Sequence, residues 1–404
     1  MSILICFLAV IFGLAGGMGG FIYLNLPNTE ELIVGEEVYY TYNDSTLSTT
    51  QLSGAEGELS VHFLELGNKY TGDCTYIKYG DVDILIDCGS KSSSISTVEN
   101  YLRSYMGDDN IIDYCIVTHA HTDHFAGFAT SAKVQSIFDL FDFGTIIDFG
   151  MATNKETDIS SATGMMKNYI TNREEAIERG KNLENPTQYY DASTNVKDNN
   201  KIYYIGESNE VELEILYNEY NAKGMSSSEN NYSVCVLLKY DNKEFLFTGD
   251  LEELHSEGET KLLENNLSLQ EIANNNEDFG VELYKAGHHG SKTSSSQDFI
   301  DAIRPQVVCV CCCAGSPEYT DTVVNQFPTQ DFINVIAKHT TNVFVTTLCV
   351  DWDNDKFESM NGNIVIIALP NENLGVVCSN NDTVLKDTEW FKTYRTTPAE
   401  WQTS

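Results

Sequence analysis

Across 404 residues the chain sets 60 acidic against 24 basic side chains, a formal net charge of −36, with 42% hydrophobic and 11% aromatic residues. That apolar share supports a sizeable core and argues against wholesale disorder. So negative a chain repels polyanions at long range, which excludes non-specific nucleic-acid binding through a basic surface. An anionic substrate would need local positive charge, such as a bound metal supplies.

From Ile3 to Leu24 runs ILICFLAVIFGLAGGMGGFIYL, 22 residues without a charge and long enough to cross a bilayer as a helix. No Lys or Arg precedes Lys69, unlike the basic start of most cleaved signals. Gly13/Gly17 and Gly16/Gly20 repeat the small-residue spacing of paired membrane helices. Residues 1–26 are therefore expected to anchor the chain in a membrane, with signal cleavage near LAGGMGG as the alternative. The expected placement is single-pass, with the bulk of the chain outside the cytoplasm; secretion follows if the segment is cleaved. Residues 27–57, rich in Ser, Thr, Asn and Gly, read as a polar acidic linker.

Structure is predicted to begin with the alternating strand ELSVHFLEL (58–66), then strands CTYIKY and VDILIDCG joined by a turn at Gly80-Asp81. A helix over about 92–106 precedes strand DYCIVT (113–118), and HFAGFATSA after it has helical character. Next come a strand FGTIIDFG, a polar helix near 160–181, and four strands, KIYYIG, EVELEILY, YSVCVLLKY and KEFLFTGD. The remaining elements are a helix over 255–265, strand VELYKAG, helix SSQDFIDAI, strand PQVVCVCCC, helix TQDFINVIAK and strands NVFVTTLCV and NIVIIALP. Hairpins first and interspersed helices afterwards argue for an α/β fold with mixed sheets. In the cysteine-rich strand, Cys309, Cys311 and Cys313 alternate on one face, which fits packing better than metal binding. The segment 371–404 carries Trp390 and Trp401 and receives no role.

Chemistry concentrates in THAHTDHFAGF (118–128), where three of the eight histidines and an aspartate occupy six consecutive positions. His119 and His121 follow the strand on a loop and can converge on one metal, while Asp123 and His124, at the helix start, can face a second. Imidazole with carboxylate suits zinc, manganese or iron. Two further strand ends complete a dinuclear pattern. FLFTGD puts Asp250 past a tight Thr-Gly turn, where it can bridge, and YKAGHHGSKTS puts His288 and His289 past another strand. Ser291 and Lys292, next along, are candidate phosphate contacts. His62, His255 and His339 read as structural or surface residues.

These stretches resemble the metallo-β-lactamase superfamily, whose signature is HxHxDH followed by a bridging Asp and a later His. VHFLELGNKYTGDC, ILIDCGS, THAHTDH, NNYSVCVLL, FLFTGDLE and GHHGSKTSSS appear in the order of one subgroup, the soluble metallohydrolase domains of the ComEC competence proteins. The resemblance covers about 60–370 and implies a hydrolase domain over 58–370, an αββα four-layer sandwich of two mixed sheets. It implies His119 and His121 on a first divalent metal, zinc or manganese, and Asp123, His124 and His288 on a second, with Asp250 bridging. His288 is preferred because it immediately follows the strand; His289, with Asp73 and Ser233, would then touch substrate or support the ligands. Asp123 and Asp250 are the expected catalytic residues, acting with a water activated as hydroxide on the metal. The implied activity is hydrolysis of a phosphate ester, with a phosphodiester, that of nucleic acid included, as first expectation. Another ester (phosphorylcholine, sulfate, lactone) or a degenerate membrane-tethered metal-binding protein are the alternatives.

Three departures bear on this. No histidine lies between His124 and His255, so the third histidine of the first metal is missing and Ser233 stands in that region. The loop from Gly67 to Asp73 is longer than the subgroup's Gly-x-Gly-Asp turn, and Phe327-Pro328 replaces its His-Pro.

Overall fold

The computed structural model describes residues 31–34, 37–131, 133–150, 164–192, 200–275 and 277–402. The expected anchor at 1–26 lies outside them; among the described residues no helix is long and apolar enough to cross a membrane.

Two mixed sheets dominate, as expected for an α/β metallo-β-lactamase-like fold. The larger runs, in spatial order, Glu31–Val34, Glu37–Thr41, Gly375–Cys378, Ile364–Ala368, Leu59–Phe63, Thr75–Tyr79, Val82–Ile86, Ile111–Ile116, Asp142–Asp148 and Gln188–Asp191. The smaller runs Lys356–Ser359, Val343–Asp351, Val307–Ala314, Leu283–Lys285, Lys243–Phe247, Val236–Tyr240, Val211–Ile215 and Lys201–Ile205. The larger sheet is antiparallel on one side and parallel on the other, whereas the smaller has a parallel centre flanked by antiparallel strands at both edges. In the larger, Val82–Ile86, Ile111–Ile116, Asp142–Asp148 and Gln188–Asp191 run parallel. In the smaller, Lys243–Phe247, Leu283–Lys285, Val307–Ala314 and Val343–Asp351 do.

The sheets meet through one apolar core that takes Phe63, Ile77 and Ile84 from the first and Val236, Phe247 and Cys309 from the second. Phe63 and Phe247 pack with ring centroids 6.3 Å apart across the interface. Period-two alternation sorts the second sheet's side chains: Leu237, Leu246, Val308 and Val310 point the other way, onto helices Gly258–Asn265, Leu267–Asn274, Gln297–Ile303 and Gln330–Ile336. The strand Val307–Ala314 is buried at every position because helices cover one face and the partner sheet the other, so its cysteines act as small apolar residues.

Two expected boundaries shift. Residues 37–57, read as a spacer, pack on the domain: Glu37–Thr41 pairs with Gly375–Cys378, and Tyr39, Leu47 and Leu52 are buried. Their polar composition hid these few apolar contacts. The segment after 370 is likewise part of the fold. Trp390, Phe391 and Trp401 enter the second core, and the Trp401 indole Nε1 donates to the Thr340 carbonyl at 3.0 Å. Removing a buried Trp of this kind costs about 3–5 kcal/mol. Of HFAGFATSA only His124 and Phe125 are helical, at the end of the four-residue helix Thr122–Phe125.

Candidate metal centre

Four groups of side chains leave the carboxyl ends of parallel strands, two strands in each sheet. Asp87 follows Val82–Ile86, the histidine cluster follows Ile111–Ile116, Asp250 follows Lys243–Phe247, and the His-His pair follows Leu283–Lys285. The loops interlock closely: the Asp73 N–H donates to the Asp123 carbonyl at 2.9 Å, and the Gly89 N–H to the Asp73 carbonyl at 2.8 Å. A Cβ at Gly89 would lie 1.6 Å from the Asp123 carbonyl oxygen, so only glycine lets the histidine loop settle here.

His124 is fully buried, and its Nδ1 lies 2.7 Å from Asp87 Oδ2. Asp87 is fixed in turn by the Thr118 N–H and hydroxyl, each at 2.7 Å. A carboxylate only accepts, so a neutral His124 carries its proton on Nδ1 and turns the Nε2 lone pair toward Asp250 Oδ2, 3.2 Å away. His289 is arranged the same way. Its Nδ1 donates to the Cys311 carbonyl at 2.9 Å, leaving Nε2 3.4 Å from Asp123 Oδ2 and 3.5 Å from Asp250 Oδ2. Across the same opening His119 Nε2 and His121 Nδ1 lie 3.1 Å apart, a separation suited to two donors of one ion. His119 Nε2 is also 3.8 Å from Asp250 Oδ2, which puts Asp250 between the two histidine groups.

Whether these residues fit a divalent ion is tested by their unmet polar atoms. His124 Nε2, His289 Nε2 and Asp250 Oδ1 are buried without a hydrogen-bond partner, a costly arrangement unless a cation satisfies them. Asp73, His124, Asp250 and His289 each bring one candidate ligand atom to within 4.8 Å of the others. The electrostatics agree. Burial would lower the His289 pKa, but Asp250 and Asp73 outweigh it and raise it to about 10. Burial would raise that of Asp250, yet His124 and His289 hold it well below the carboxylate range. Such a crowd of acids binds protons on its imidazoles where a metal would displace them. His119 moves the other way, lowered by burial and by its neighbour His124, and stays neutral and ready to ligate.

The structure gathers His119, His121, Asp123, His124 and Asp250 around one opening. Of the histidine pair it is His289, not the preferred His288, whose ring turns inward. Gly287–Gly290 makes one tight bend with His288 and His289 both left-handed (φ 46° and 54°), which sends the first ring outward and the second in. His288 is instead held by Thr293 Oγ1 at 3.0 Å and Glu252 at 3.3 Å, with Nε2 3.8 Å from Asp250. Ser233 sits against the first histidine group: its Oγ is 3.4 Å from His119 Nδ1 and accepts from the Asp250 N–H at 3.0 Å. Ser291 bonds to Thr293, and Lys292 is exposed beside Asn325, away from the cluster.

Sequence reasoning gave no role to Asp87, to Lys285, whose ammonium contacts Asp73 in the buried interior, or to Tyr319, whose hydroxyl donates to Asp123 at 2.7 Å. Asp87 had a signal, being an acid placed directly after an apolar strand as Asp250 is. The Phe327 ring packs 5.8 Å from both His288 and His289 and forms an apolar wall at the mouth.

A sequence model described as "Metallo-beta-lactamase superfamily" matches residues 67–136, which contain the histidine cluster. A curated relative, ComE operon protein 3 of Bacillus subtilis, is 31% identical over 84 residues. The match takes in 21% of this chain and only 9% of that protein. Among solved structures, the metallo-beta-lactamase fold protein YhfI from Bacillus subtilis aligns at 9% identity and TM-score 0.39, over 72% of this chain and 96% of that one. A long form RNase Z from yeast aligns at 10% identity and TM-score 0.36, over 74% of this chain and 39% of that one.

Proposed function

Starting from a chain that is a metallo-β-lactamase superfamily protein, we propose that it is a metal-dependent hydrolase that cleaves a phosphodiester. The observation that carries this reading is the convergence of two buried, partnerless imidazole Nε2 atoms on Asp250. His124, His289 and Asp123 would hold one divalent ion, zinc or manganese, and His119 and His121 a second, with Asp250 shared. Bound there, such ions supply Lewis acidity and a water acidic enough to act as nucleophile near neutral pH. The chain's own groups do the rest. Asp123 is the most exposed of these carboxylates, at 14% against 1% for Asp250, so it faces incoming water and can accept a proton. Asp87 and the Cys311 carbonyl keep His124 and His289 in the ligating tautomer. Attack by water on phosphorus breaks the P–O bond to the leaving oxygen, which takes up a proton as it departs.

A second reading keeps hydrolysis and changes the ester. Phe327 and Tyr319, ring centroids 5.4 Å apart, line the mouth with aromatic surface, and Tyr319 is 53% exposed. That lining favours a compact ester such as a phosphorylcholine or sulfate ester, or a lactone, over a polymer strand, as does the −36 net charge. The same proposal includes a membrane tether in the apolar segment 3–24. The deciding experiment measures metal equivalents per chain and turnover of a small chromogenic phosphodiester and of single-stranded DNA. Metal loading with turnover of the diester, lost in Asp250→Ala, supports the proposal. Turnover of the diester but not DNA moves the substrate to a small ester, and full loading with no ester turned over defeats the hydrolase reading.

A further inference from the structure

Four residues come close enough to be ligands, yet one of them stands on the wrong side of the rings. Asp73 reaches the cluster from the loop after Leu59–Phe63 and is 4% exposed. Its Oδ1 is 3.1 Å from Nδ1 of His289, and its Oδ2 is 3.6 Å from Nδ1 of His124. Both of those nitrogens carry protons in the neutral ring, because their hydrogen-bond partners are a carbonyl and a carboxylate that can only accept. A ligated ion must lie on the opposite edge, at Nε2, where Asp123 and Asp250 are. Asp73 has a different counter-ion. The Lys285 ammonium, 3% exposed on the strand that leads into the His-His bend, contacts Asp73 Oδ2 and reaches no other acceptor by hydrogen bond. Tyr284 packs on the helix side and Leu283 in the inter-sheet core, so strand alternation turns Lys285 between the sheets, where it and Asp73 are both buried.

We propose that Asp73 and Lys285 form a buried positioning pair behind the metal centre, and that Asp73 is not one of the ligands. Its negative charge rests against the Nδ1 edges of His289 and His124 and favours the tautomer and tilt in which both Nε2 atoms face the ions. Lys285 balances that charge and keeps Asp73 from swinging into the coordination sphere, since a buried carboxylate leaves its cation only at a large desolvation cost.

This inference rests on the metal-centre reading, and the test separates the two. Metal-free full-length wild type, Asp73→Asn and the neutral double variant Asp73→Asn/Lys285→Met are titrated with Zn²⁺ against a chromophoric chelator and with Co²⁺ by visible absorption. The double variant removes both buried charges together, so it stays foldable if Asp73→Asn alone leaves Lys285 uncompensated. The expected result is the wild-type number of metal equivalents and an unchanged Co²⁺ band position in both variants, with affinity about 10–100-fold weaker. Loss of one equivalent, or a shifted Co²⁺ band, would make Asp73 a ligand and overturn the proposal. Wild-type affinity in the double variant would reduce the pair to packing and overturn it equally. Failure of the wild type itself to bind either ion would fall on the metal-centre reading.

Discussion

The two halves of the opening are built from the same residue types and held very differently. On one side His124 and His289 are fully buried, each with Nδ1 committed to an acceptor that cannot donate: Asp87 at 2.7 Å and the Cys311 carbonyl at 2.9 Å. On the other, His119 Nδ1 meets two hydroxyls, Thr118 Oγ1 at 3.2 Å, whose proton already goes to Asp87, and Ser233 Oγ at 3.4 Å, which can give or take one. His121 is half-buried with its closest polar contact to His119. A fixed tautomer spares the ring the cost of reorganising on ligation, whereas a hydroxyl leaves both tautomers open. The lesson is that one metal position is pre-formed and the other is loose, and the missing third imidazole makes the loose one looser.

Breaking what the halves share has the largest expected effect. Asp250 lies 3.2 Å from His124, 3.5 Å from His289 and 3.8 Å from His119, so Asp250→Ala should lower ester turnover by about a thousandfold or more. It should also reduce metal content, read by elemental analysis of the same sample. Retained metal with retained turnover would remove Asp250 from the centre.

The asymmetry itself is tested next. Stepwise dialysis against a chelator should strip the His119/His121 ion first and leave one equivalent bound; simultaneous loss of both would show that the halves are equally held. Asp87→Asn should then weaken the retained ion by about 10–100-fold, because the amide can present its NH₂ to Nδ1 and favour the wrong tautomer. The number of equivalents at saturation should not change.

Much of this was legible along the chain, and the boundary falls where tertiary contact begins. HxHxDH and TGD could be read because the ligands sit within a few residues of apolar strands whose alternation is visible. Which of His288 and His289 turns inward could not, since that choice is made by two left-handed φ angles inside one bend. Lys285 was hidden in an apolar strand, and its partner Asp73 lies more than two hundred residues upstream. The tail with Trp390 and Trp401 was unreadable for the opposite reason. Its elements are short and polar, and only the helical layer over the second sheet gives its two indoles somewhere to go.

His62 supplies a smaller effect and a control on the same comparison. It is as buried as His124, but its nitrogens meet the Tyr101 and Ser60 hydroxyls, each at 2.8 Å, rather than carboxylates. Burial, with Lys78 adding to it, pushes its pKa down to about 3. The folded chain therefore holds His62 neutral where the unfolded chain binds a proton. Its contribution is fully present above pH 6.5 or so and is lost as pH falls toward 3. Within that window each unit costs at most about 1.4 kcal/mol. Urea unfolding at pH 7 and 5 should show a flatter dependence in His62→Gln than in wild type; equal slopes would mean that other groups set the acid limb.

The smallest expected effect is at Lys292. Its exposed ammonium lies 3.4 Å from Asn325 Oδ1 and away from the cluster, although its position in the chain, three residues past His289, invites a phosphate contact. The bend that turns His289 inward carries the following residues back to the surface, where a single lysine in water adds little to binding an anion. Lys292→Met should thus leave kcat/KM within about twofold at moderate salt, set against the thousandfold loss in Asp250→Ala. A drop beyond tenfold that salt suppresses would mean that substrate extends over the His288 side of the mouth. The loose and the pre-formed halves would then have to be weighed by what each does for substrate as well as for metal.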